Sequence, residues 1–476
     1  MLTKKMRALI LCFLTVANCF GQDGRYNNWH FGIYSALTFN TGVPVFLNGS
    51  ALQSDEACAS ISDTLGNLLF YTNGNEIWDS TNTIMPNGSG LLGWGDVQQG
   101  VLIIPLPNSN SLFYVFTIGN PTMGYTKELR YSIIDMTLNN SLGDVTLKNI
   151  LLDFDVTEKL TATKHANGND IWIIEHPYTT NQFKAYLLTS TGLDTTPVIS
   201  YVGLIPIFEG SFAFAGAIKI SNNGCWLIST IRETFDGTGK LELFHFDNTT
   251  GRVSGGEVMG IEHPYGIEFS PDNSKFYVGQ NNLAPIYQFN LITGNEVLIL
   301  ASQTAVSNPI VSTFSFQAAP NNKIYFTQGD AVLGSIEYPN NLGWACSVGN
   351  TSISVNSTSS LPNNFNLTYK GSLNCLPNSP CFGNGENFLL PNIFTPNDDG
   401  INDVFKIPVS AIIAFNCKIY DRWGVLIREL NAVNEKWDGH TTSGMKCIEG
   451  IYYYVFSVKC EDSAEYKKTG VVQLIR

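Results

Sequence analysis

Five acid and amide side chains crowd one short segment of the sequence and could bind a metal ion. They surround Gly400 and are Asn397, Asp398, Asp399, Asn402 and Asp403. Closely spaced carboxylate and amide oxygens are the ligands that calcium prefers, although this spacing is not that of an EF-hand loop. The same residue types cap turns through hydrogen bonds to their own backbone. The segment therefore predicts either a calcium site at Asp398, Asp399, Asn402 and Asp403 or a capped turn, and the capped turn is favoured.

The tetrapeptide Glu-His-Pro-Tyr occurs twice, at residues 175–178 and 262–265. A histidine beside a glutamate is typical of metal binding or of acid–base catalysis. Both copies are expected at the same place after a strand of a repeated unit, however, and a repeat copies structural positions whereas an active site is needed once. We therefore interpret both copies as structural.

Hydrolytic chemistry has little support in the linear sequence. The chain has no Gly-x-Ser-x-Gly motif and six histidines, so a Ser-His-Asp triad is not indicated. A pair of catalytic carboxylates, as in a glycosidase, remains an alternative, because acids on separate strands can meet in the fold without a linear motif. Aromatic residues such as Trp78 and Trp94 could stack on sugar rings, although tryptophans in strands more often fill the core.

The ten cysteines include no Cys-x-x-Cys pair, so zinc and thioredoxin-like redox chemistry have no support. Cys375 and Cys381 bracket a short loop with two prolines and are the expected disulfide of an exported chain. A pairing of Cys447 with Cys417 or Cys460 is a further alternative.

Composition indicates an acidic all-β protein. The 476 residues include 43 Gly, 29 Phe and 20 Tyr, and the net charge is −13. An acidic chain without a cluster of Lys and Arg repels phosphate backbones, so we expect no nucleic-acid partner.

The N-terminal residues resemble a signal peptide. Lys4, Lys5 and Arg7 precede an apolar run at 8–17 that is too short to cross a bilayer. We expect a signal peptide at residues 1–21 with cleavage after Gly21, which predicts export.

A turn followed by an aromatic strand recurs six times, about every 45 to 58 residues, which is the length of one propeller blade. The turns begin at Ser62, Pro107, His165, Ser221, Ser270 and Ala319. Hairpins are expected between them, most clearly at Ile286–Leu300. A further hairpin at Ala36–Phe46 has no turn motif ahead of it, which implies a ring closed by strands from both chain ends, with Phe365–Tyr369 as the returning strand. The sequence thus predicts a β-propeller over residues 22–372 with seven blades, or six as the alternative. The turns and strands resemble the WD40-like propeller repeats of exported bacterial proteins.

Residues 373–388 are rich in Pro, Asn and Gly and are expected to be a linker. Ordered motifs follow over residues 389–476, where alternating apolar positions predict a small immunoglobulin-like β-sandwich. The motif residues are Phe394, Pro396, Asn397, Asp399, Gly400, Asn402, Asp403, Arg422, Trp423, Gly424, Trp437, Asp438, Gly439, Gly450, Tyr452 and Tyr453.

Together these motifs resemble the gliding-motility-associated C-terminal domain, the type B sorting signal of the type IX secretion system. The resemblance implies export through both membranes to the cell surface or the medium, with the translocon and its surface-attachment machinery as partners. We expect the propeller to be a binding or adhesion module for an extracellular glycan or protein. The alternative is a secreted hydrolase acting on polysaccharide or protein.

Overall fold

The computed structural model describes most of the chain between residues 23 and 476. The described ranges are 23–119, 127–206, 213–234, 238–310, 312–329, 331–356, 359–365, 393–397, 402–406, 412–432, 434–460 and 465–476. The expected signal peptide and linker lie outside these ranges.

The first two sheets are antiparallel and follow chain order. One contains β1 (Asn28–Phe31), β2 (Ser35–Thr38) and β3 (Val45–Phe46), and the next contains β4 (Ala59–Ser62), β5 (Leu68–Thr72), β6 (Glu76–Asp79) and β7 (Ile84–Ser89). Strands β2 and β3 form the orphan hairpin that the sequence predicts, with Leu37 opposite Phe46.

Eight strands then form one larger sheet. They are β8 (Val101–Pro105), β9 (Leu112–Gly119), β10 (Lys127–Asp135), β11 (Asp144–Lys164), β12 (Ile171–Pro177), β13 (Gln182–Thr189), β14 (Gly192–Leu193) and β15 (Val198–Tyr201). Strand β11 joins two four-stranded halves, because it pairs with β10 through Asp144–Val156 and with β12 through Val156–Lys164.

Three further sheets of four strands complete this part of the chain. They contain β16 (Ile218–Ile220), β17 (Trp226–Ile231), β18 (Gly239–Asp247) and β19 (Arg252–Ile261); β20 (Pro264–Phe269), β21 (Lys275–Gln280), β22 (Tyr287–Asn290) and β23 (Thr304–Ala305); and β24 (Phe316–Ala318), β25 (Ile324–Phe326), β26 (Val332–Ile336) and β27 (Val348–Ser354). The helices are α1 (Glu296–Ala301) and 3₁₀ turns at Gly24–Tyr26, Asn139–Ser141, Leu291–Thr293 and Gly343–Cys346.

This arrangement of successive antiparallel sheets is a β-propeller. Strands β4, β8 and β20 are each the first strand of a sheet or half-sheet, and they are buried along their whole length. By contrast, β19, the last strand of the sheet that begins with β16, is largely exposed. The opening strands therefore line the axis of the ring. The number of blades depends on whether the eight-stranded sheet counts as one blade or two, so seven blades stays a prediction.

The six predicted turns all occupy one structural position, between the first and second strands of a sheet or half-sheet. The turn from Ser270 shows why this sequence turns: Asp272 Oδ1 accepts hydrogen bonds from Ser270 Oγ (2.7 Å) and Ser274 N (2.9 Å). Asn273 adopts a left-handed φ of +59°, which Asn tolerates better than most residues.

Two predictions about local structure are wrong. The second half of the expected hairpin Ile286–Leu300 is helix α1, because Asn295 caps it by accepting a hydrogen bond from Leu298 N (3.0 Å). The Glu-His-Pro-Tyr copies are not equivalent either, since residues 175–178 end a second strand, β12, and residues 262–265 lead into a first strand, β20.

The C-terminal domain is built on one five-stranded sheet. Its strands are β28 (Ile393–Phe394), β29 (Ile412–Tyr420), β30 (Leu426–Leu430), β31 (Gly450–Cys460) and β32 (Glu465–Leu474), in the order β28-β32-β31-β29-β30. Tyr452, Tyr454 and Phe456 point into the core from alternate positions of β31, as the sequence pattern predicts. The described residues add two isolated bridges rather than a second sheet, so an immunoglobulin-like sandwich stays a prediction.

Candidate functional site

Three aromatic motif residues form the centre of the C-terminal domain. The Trp437 ring lies 5.0 Å from Phe394 and 4.9 Å from Tyr452, measured between ring centroids. All three side chains are buried. Trp437 Nε1 donates to the His440 carbonyl (2.8 Å) and Tyr452 Oη donates to the Ile448 carbonyl (2.8 Å), so the buried polar atoms of these rings have partners.

The motif glycine Gly439 lies where side chains would not fit. Its φ is +79°, and a Cβ there would lie 2.8 Å from Leu474 Cδ1 and 2.9 Å from Arg476 Nη2. The adjacent Asp438 accepts a hydrogen bond from His440 N (3.1 Å). This part of the motif therefore fixes a tight loop against the end of β32.

Other motif residues lie on the surface. Trp423 is 80 % exposed, and the Arg422 guanidinium lies 5.8 Å from the centroid of its indole ring. Asp421 accepts hydrogen bonds from Trp423 N and Val425 N, both 2.9 Å, which orders the turn. Tyr453 is 48 % exposed. The surface residues of the motif, which the core does not require, are available for recognition by a partner.

The predicted calcium segment is described only in part. Asp398, Asp399 and Gly400 lie outside the described residues, and Asp403 Oδ1 accepts a hydrogen bond from Asn397 N (3.0 Å). Among described residues there is no group of three or more His, Cys, Asp or Glu that could hold a metal. The Asp403 contact is of the kind a capped turn uses, and the calcium site stays a prediction.

The cysteines differ in part from expectation. Cys417 and Cys447 are free buried thiols, so the suggested disulfide of Cys447 is wrong. Cys225 is disulfide-bonded. The expected partners Cys375 and Cys381 lie outside the described residues.

Residues 359–365, which we call the axial segment, run along the axis of the propeller. Asn363 Nδ2 donates to the carbonyls of Val101 (3.2 Å) and Leu160 (3.1 Å), which belong to two different inner strands. Ser359 N bonds to the Asp55 carbonyl (3.0 Å), and Lys219 Nζ bonds to the Asn364 carbonyl (3.4 Å). Only a segment at the centre of the ring can reach so many sheets, so the protein's own chain fills the axis. Phe365, the first residue of the expected closing strand Phe365–Tyr369, is not in a strand, and residues 366–369 lie outside the described residues.

One end of the axis, where the inner strands begin, gathers several acids beside the cations Lys127 and Arg232, whose guanidinium lies 5.7 Å from the Tyr265 ring. We call it the acidic mouth and define it by Glu56, Asp96, Glu158 and Tyr265. Tyr265 Oη donates to Glu56 Oε1 (3.0 Å), and Lys127 Nζ lies 3.4 Å from Glu158 Oε1. The second oxygen of Glu158 is buried and has no hydrogen-bond partner among the described residues. An acceptor is therefore left over for a ligand or an ordered water.

Burial changes the proton affinity of these acids. Burial, together with the neighbouring Glu158 carboxylate, raises the pKa of Glu56 to about 8. Burial also raises the pKa of Glu158 to about 7, although Lys127 acts in the opposite direction. Like charges held together do not both ionise readily, so the acidic mouth retains a proton near neutral pH.

Aromatic side chains accompany the acids, and only some are exposed. Trp94 is 43 % exposed and lies two residues before Asp96, whereas Trp78 is buried and stacks on Tyr71. Sequence reasoning missed Glu56, Glu158 and Tyr265 as a group. The available signal was a pair of charged residues, Glu158 and Lys159, inside the otherwise apolar and Thr-rich second half of β11.

Comparison with known families decides the nature of the C-terminal domain. Residues 388–474 match the CHU_C type IX secretion signal domain. The chain carries a type IX secretion signal domain. The protein is therefore exported through the type IX secretion system to the cell surface or the extracellular space, and this signal domain engages the secretion machinery. No helix among the described residues is long and apolar enough to cross a membrane.

Several solved structures are similar to large parts of the chain at low sequence identity. PorZ, a surface component of the type IX secretion system of Porphyromonas gingivalis, is 10% identical, with 95% of this chain and 74% of PorZ covered and a TM-score of 0.32. A Lactobacillus plantarum protein is 13% identical, with 71% and 99% covered and a TM-score of 0.41. A putative 6-phosphogluconolactonase from Bacteroides uniformis is 15% identical, with 60% and 97% covered and a TM-score of 0.33. These likenesses carry no argument about ligand or activity, and no curated protein matches the sequence.

Proposed function

We propose that the propeller is a binding module for an extracellular glycan or protein, delivered by the signal domain, and that its ligand docks at the acidic mouth. The position of that mouth carries the proposal. The axial segment starts near Asp55 at the acidic mouth and ends with Phe365 at the other end of the axis, from which the chain continues toward the signal domain. The acidic mouth thus lies at the end of the propeller opposite Phe365, after which the chain continues into the expected linker.

The residues of the acidic mouth suit binding. Glu158 offers a buried acceptor without a partner, and Trp94 offers an exposed ring surface. Binding sites commonly combine apolar surface with a few polar groups that fix orientation. The axial segment fills the centre of the ring, so contacts with a large ligand are expected at the mouth and its surrounding loops.

A secreted hydrolase is the second candidate, and the Glu56–Glu158 pair is the observation that favours it. Two acids with raised pKa values are what general acid–base chemistry uses. Against it, the Glu158 side chain is 4 % exposed and is engaged by Lys127, while Glu56 is engaged by Tyr265. Both acids are therefore already engaged by neighbouring side chains, whereas a general acid must be free to transfer its proton to the substrate.

Delivery is tested by comparing the full-length protein with a version truncated after Asn387 in the native bacterium, using protease shaving and fractionation. We expect only the full-length protein to reach the surface or the medium. Equal export of the truncated chain would show that residues 388–474 are not required for delivery.

Ligand binding is tested with full-length protein on a glycan array and against surface-exposed proteins of the native community. Trp94→Ala and Glu158→Gln should each weaken a hit, whereas Leu65→Ala, at a distant exposed turn, should not. Turnover of a polysaccharide or protein that is abolished by Glu158→Gln would instead establish the hydrolase.

A further inference from the structure

A separate cavity lies at the opposite end of the propeller axis from the acidic mouth. It encloses about 100 Å³. Its walls come from the later residues of four inner strands and from the axial segment, at Thr161, Lys219, Glu268, Gln317 and Asn364. We call it the outlet pocket, because the axial segment ends there.

The charged groups of the outlet pocket neutralise one another. Lys219 Nζ donates to Glu268 Oε2 and to Gln317 Oε1, each at 3.0 Å. Both oxygens of Glu268 also accept from backbone, at Phe269 N and Ala318 N, each at 3.0 Å. These groups are buried, and their hydrogen-bonding capacity is used within the protein. Asp23, the other charged residue of the lining, is paired with Arg25 (2.7 Å between Asp23 Oδ2 and Arg25 Nη1). The pocket therefore offers no unpaired charge that would select an ion.

Two polar atoms at this pocket have no partner. Asn364 Nδ2 and Tyr26 Oη are buried and make no hydrogen bond to the described residues. Asn364 is 6 % exposed, and both residues line the pocket. An unpaired buried donor costs about 1–3 kcal/mol, a cost that a bound molecule can remove by accepting from Asn364 and pairing with the Tyr26 hydroxyl.

The size and the remaining walls narrow the chemistry of that molecule. One ordered water needs only about 15 Å³, so the cavity has room for much more than a single water. Pro271, Pro320 and Phe365 supply apolar walls, and the Phe365 ring packs edge-on against Tyr26 at 6.1 Å between centroids. Apolar walls with a few unpaired polar atoms and no net charge fit a compact neutral molecule that carries hydroxyl groups.

We propose that the outlet pocket binds a neutral polyhydroxylated molecule of about the size of one sugar ring, with Asn364 and Tyr26 as its polar contacts. This site is independent of the binding proposed at the acidic mouth. It uses other residues at the other end of the axis.

The test uses the full-length secreted protein and saturation-transfer NMR with a panel of neutral monosaccharides, inositol and glycerol, each up to about 50 mM. We expect at least one neutral compound to bind. Tyr26→Phe and Asn364→Leu should each weaken it by about 5- to 10-fold, in line with the loss of one hydrogen bond. Both variants remove an atom without a protein partner, so the thermal midpoint of unfolding should not fall.

Controls separate this site from the acidic mouth. Trp94→Ala and Glu158→Gln should leave the binding of the neutral compound unchanged. The proposal is overturned if no neutral compound binds at 50 mM, if phosphate or ammonium binds there instead, or if neither Tyr26→Phe nor Asn364→Leu changes the affinity.

Discussion

The guanidinium of Arg476 donates a hydrogen bond of 3.1 Å to the carbonyl oxygen of Gly439. It also donates to the Cys447 carbonyl at 2.5 Å. The loop that carries the Trp-Asp-Gly motif and the residues just after β32 are thus held together by one side chain. A charged donor that serves two carbonyls is worth more than a neutral hydrogen bond, so the local stability of the signal domain depends on this contact.

Gly439→Ala is expected to loosen that loop. The alanine would have to keep a left-handed φ, and its Cβ would also collide with Leu474 and Arg476. Left-handed φ alone costs about 1–2 kcal/mol, and the collision adds to it. Hydrogen exchange of the β31 and β32 amides in the full-length protein measures the effect.

Gly444→Ala is the matched control for that measurement. Gly444 has a similar φ of +82°, but nothing lies within 4 Å of its Cβ position. We expect the Gly439 variant to lose at least about 1 kcal/mol more than the Gly444 variant, because only Gly439 adds a collision to the strained φ. Equal losses in the two variants would mean that the close packing around Gly439 contributes nothing.

Substitution of the two tryptophans of the sorting motif should change stability by very different amounts. Trp437→Ala removes a fully buried ring and should cost about 3–5 kcal/mol. Trp423→Ala removes an exposed ring and should change stability by less than about 0.5 kcal/mol. Thermal unfolding of both variants, with surface delivery measured in parallel, separates folding from recognition. Trp423→Ala with normal stability and poor delivery would assign Trp423 to recognition by the secretion machinery, whereas normal delivery would exclude it from that role.

The stability of the propeller should fall as the pH rises from about 4.5 to about 8 through the contribution of Glu56. Its pKa is about 8 in the folded protein, so the folded state holds the proton more tightly than the unfolded state throughout this interval. At about 1.4 kcal/mol for each pKa unit, the difference between 4.5 and about 8 corresponds to on the order of 5 kcal/mol. Glu56→Gln should remove this dependence.

Thermal midpoints of the wild type and Glu56→Gln between pH 4.5 and 9 provide the measurement, and only their difference is interpreted. Other buried groups titrate in both proteins: burial lowers the pKa of His176 to about 3, for example. The variant should gain stability relative to the wild type as the pH rises. Parallel curves would contradict the prediction.

Asn363→Ala should destabilise the propeller by about 1–3 kcal/mol. The substitution leaves the buried carbonyls of Val101 and Leu160 without the Asn363 donor. Asn364→Leu is the control, because the Asn364 Nδ2 atom has no protein partner to lose. Thermal unfolding of the two variants tests whether the axial segment contributes to closure of the ring, and similar midpoints would argue that it does not.

Most of the fold prediction depends on the repeated turns and on the alternation of apolar and polar residues along the strands. The turn at Ser270 recurs with Asp and Asn side chains whose local hydrogen bonds are encoded in neighbouring residues, so the turn positions could be read from sequence. The alternating residues of β31 were predictable for the same reason, since burial of one face imposes a period of two.

Contacts between residues far apart in the chain could not be predicted in this way. Glu56 and Tyr265 meet only because the ring brings the start of β4 close to the start of β20. Helix α1 was missed because its apolar residues Val297–Leu300 also suit a strand, and the cap at Asn295 decided between them. The axial segment reads as a loop in sequence, and its hydrogen bonds depend on the whole ring being formed.

Asp23 and Phe365 both line the outlet pocket, so the chain enters and leaves the propeller at the same end. The 27 residues from 366 to 392 can extend to no more than about 97 Å, at about 3.6 Å per residue. On the binding function proposed above, a copy whose signal domain is held at the cell surface would present its acidic mouth only within the volume that this chain length allows. Neighbouring copies within roughly twice that reach would then hold one large ligand together, and the proposed binding would need only modest affinity at each mouth because avidity adds to it.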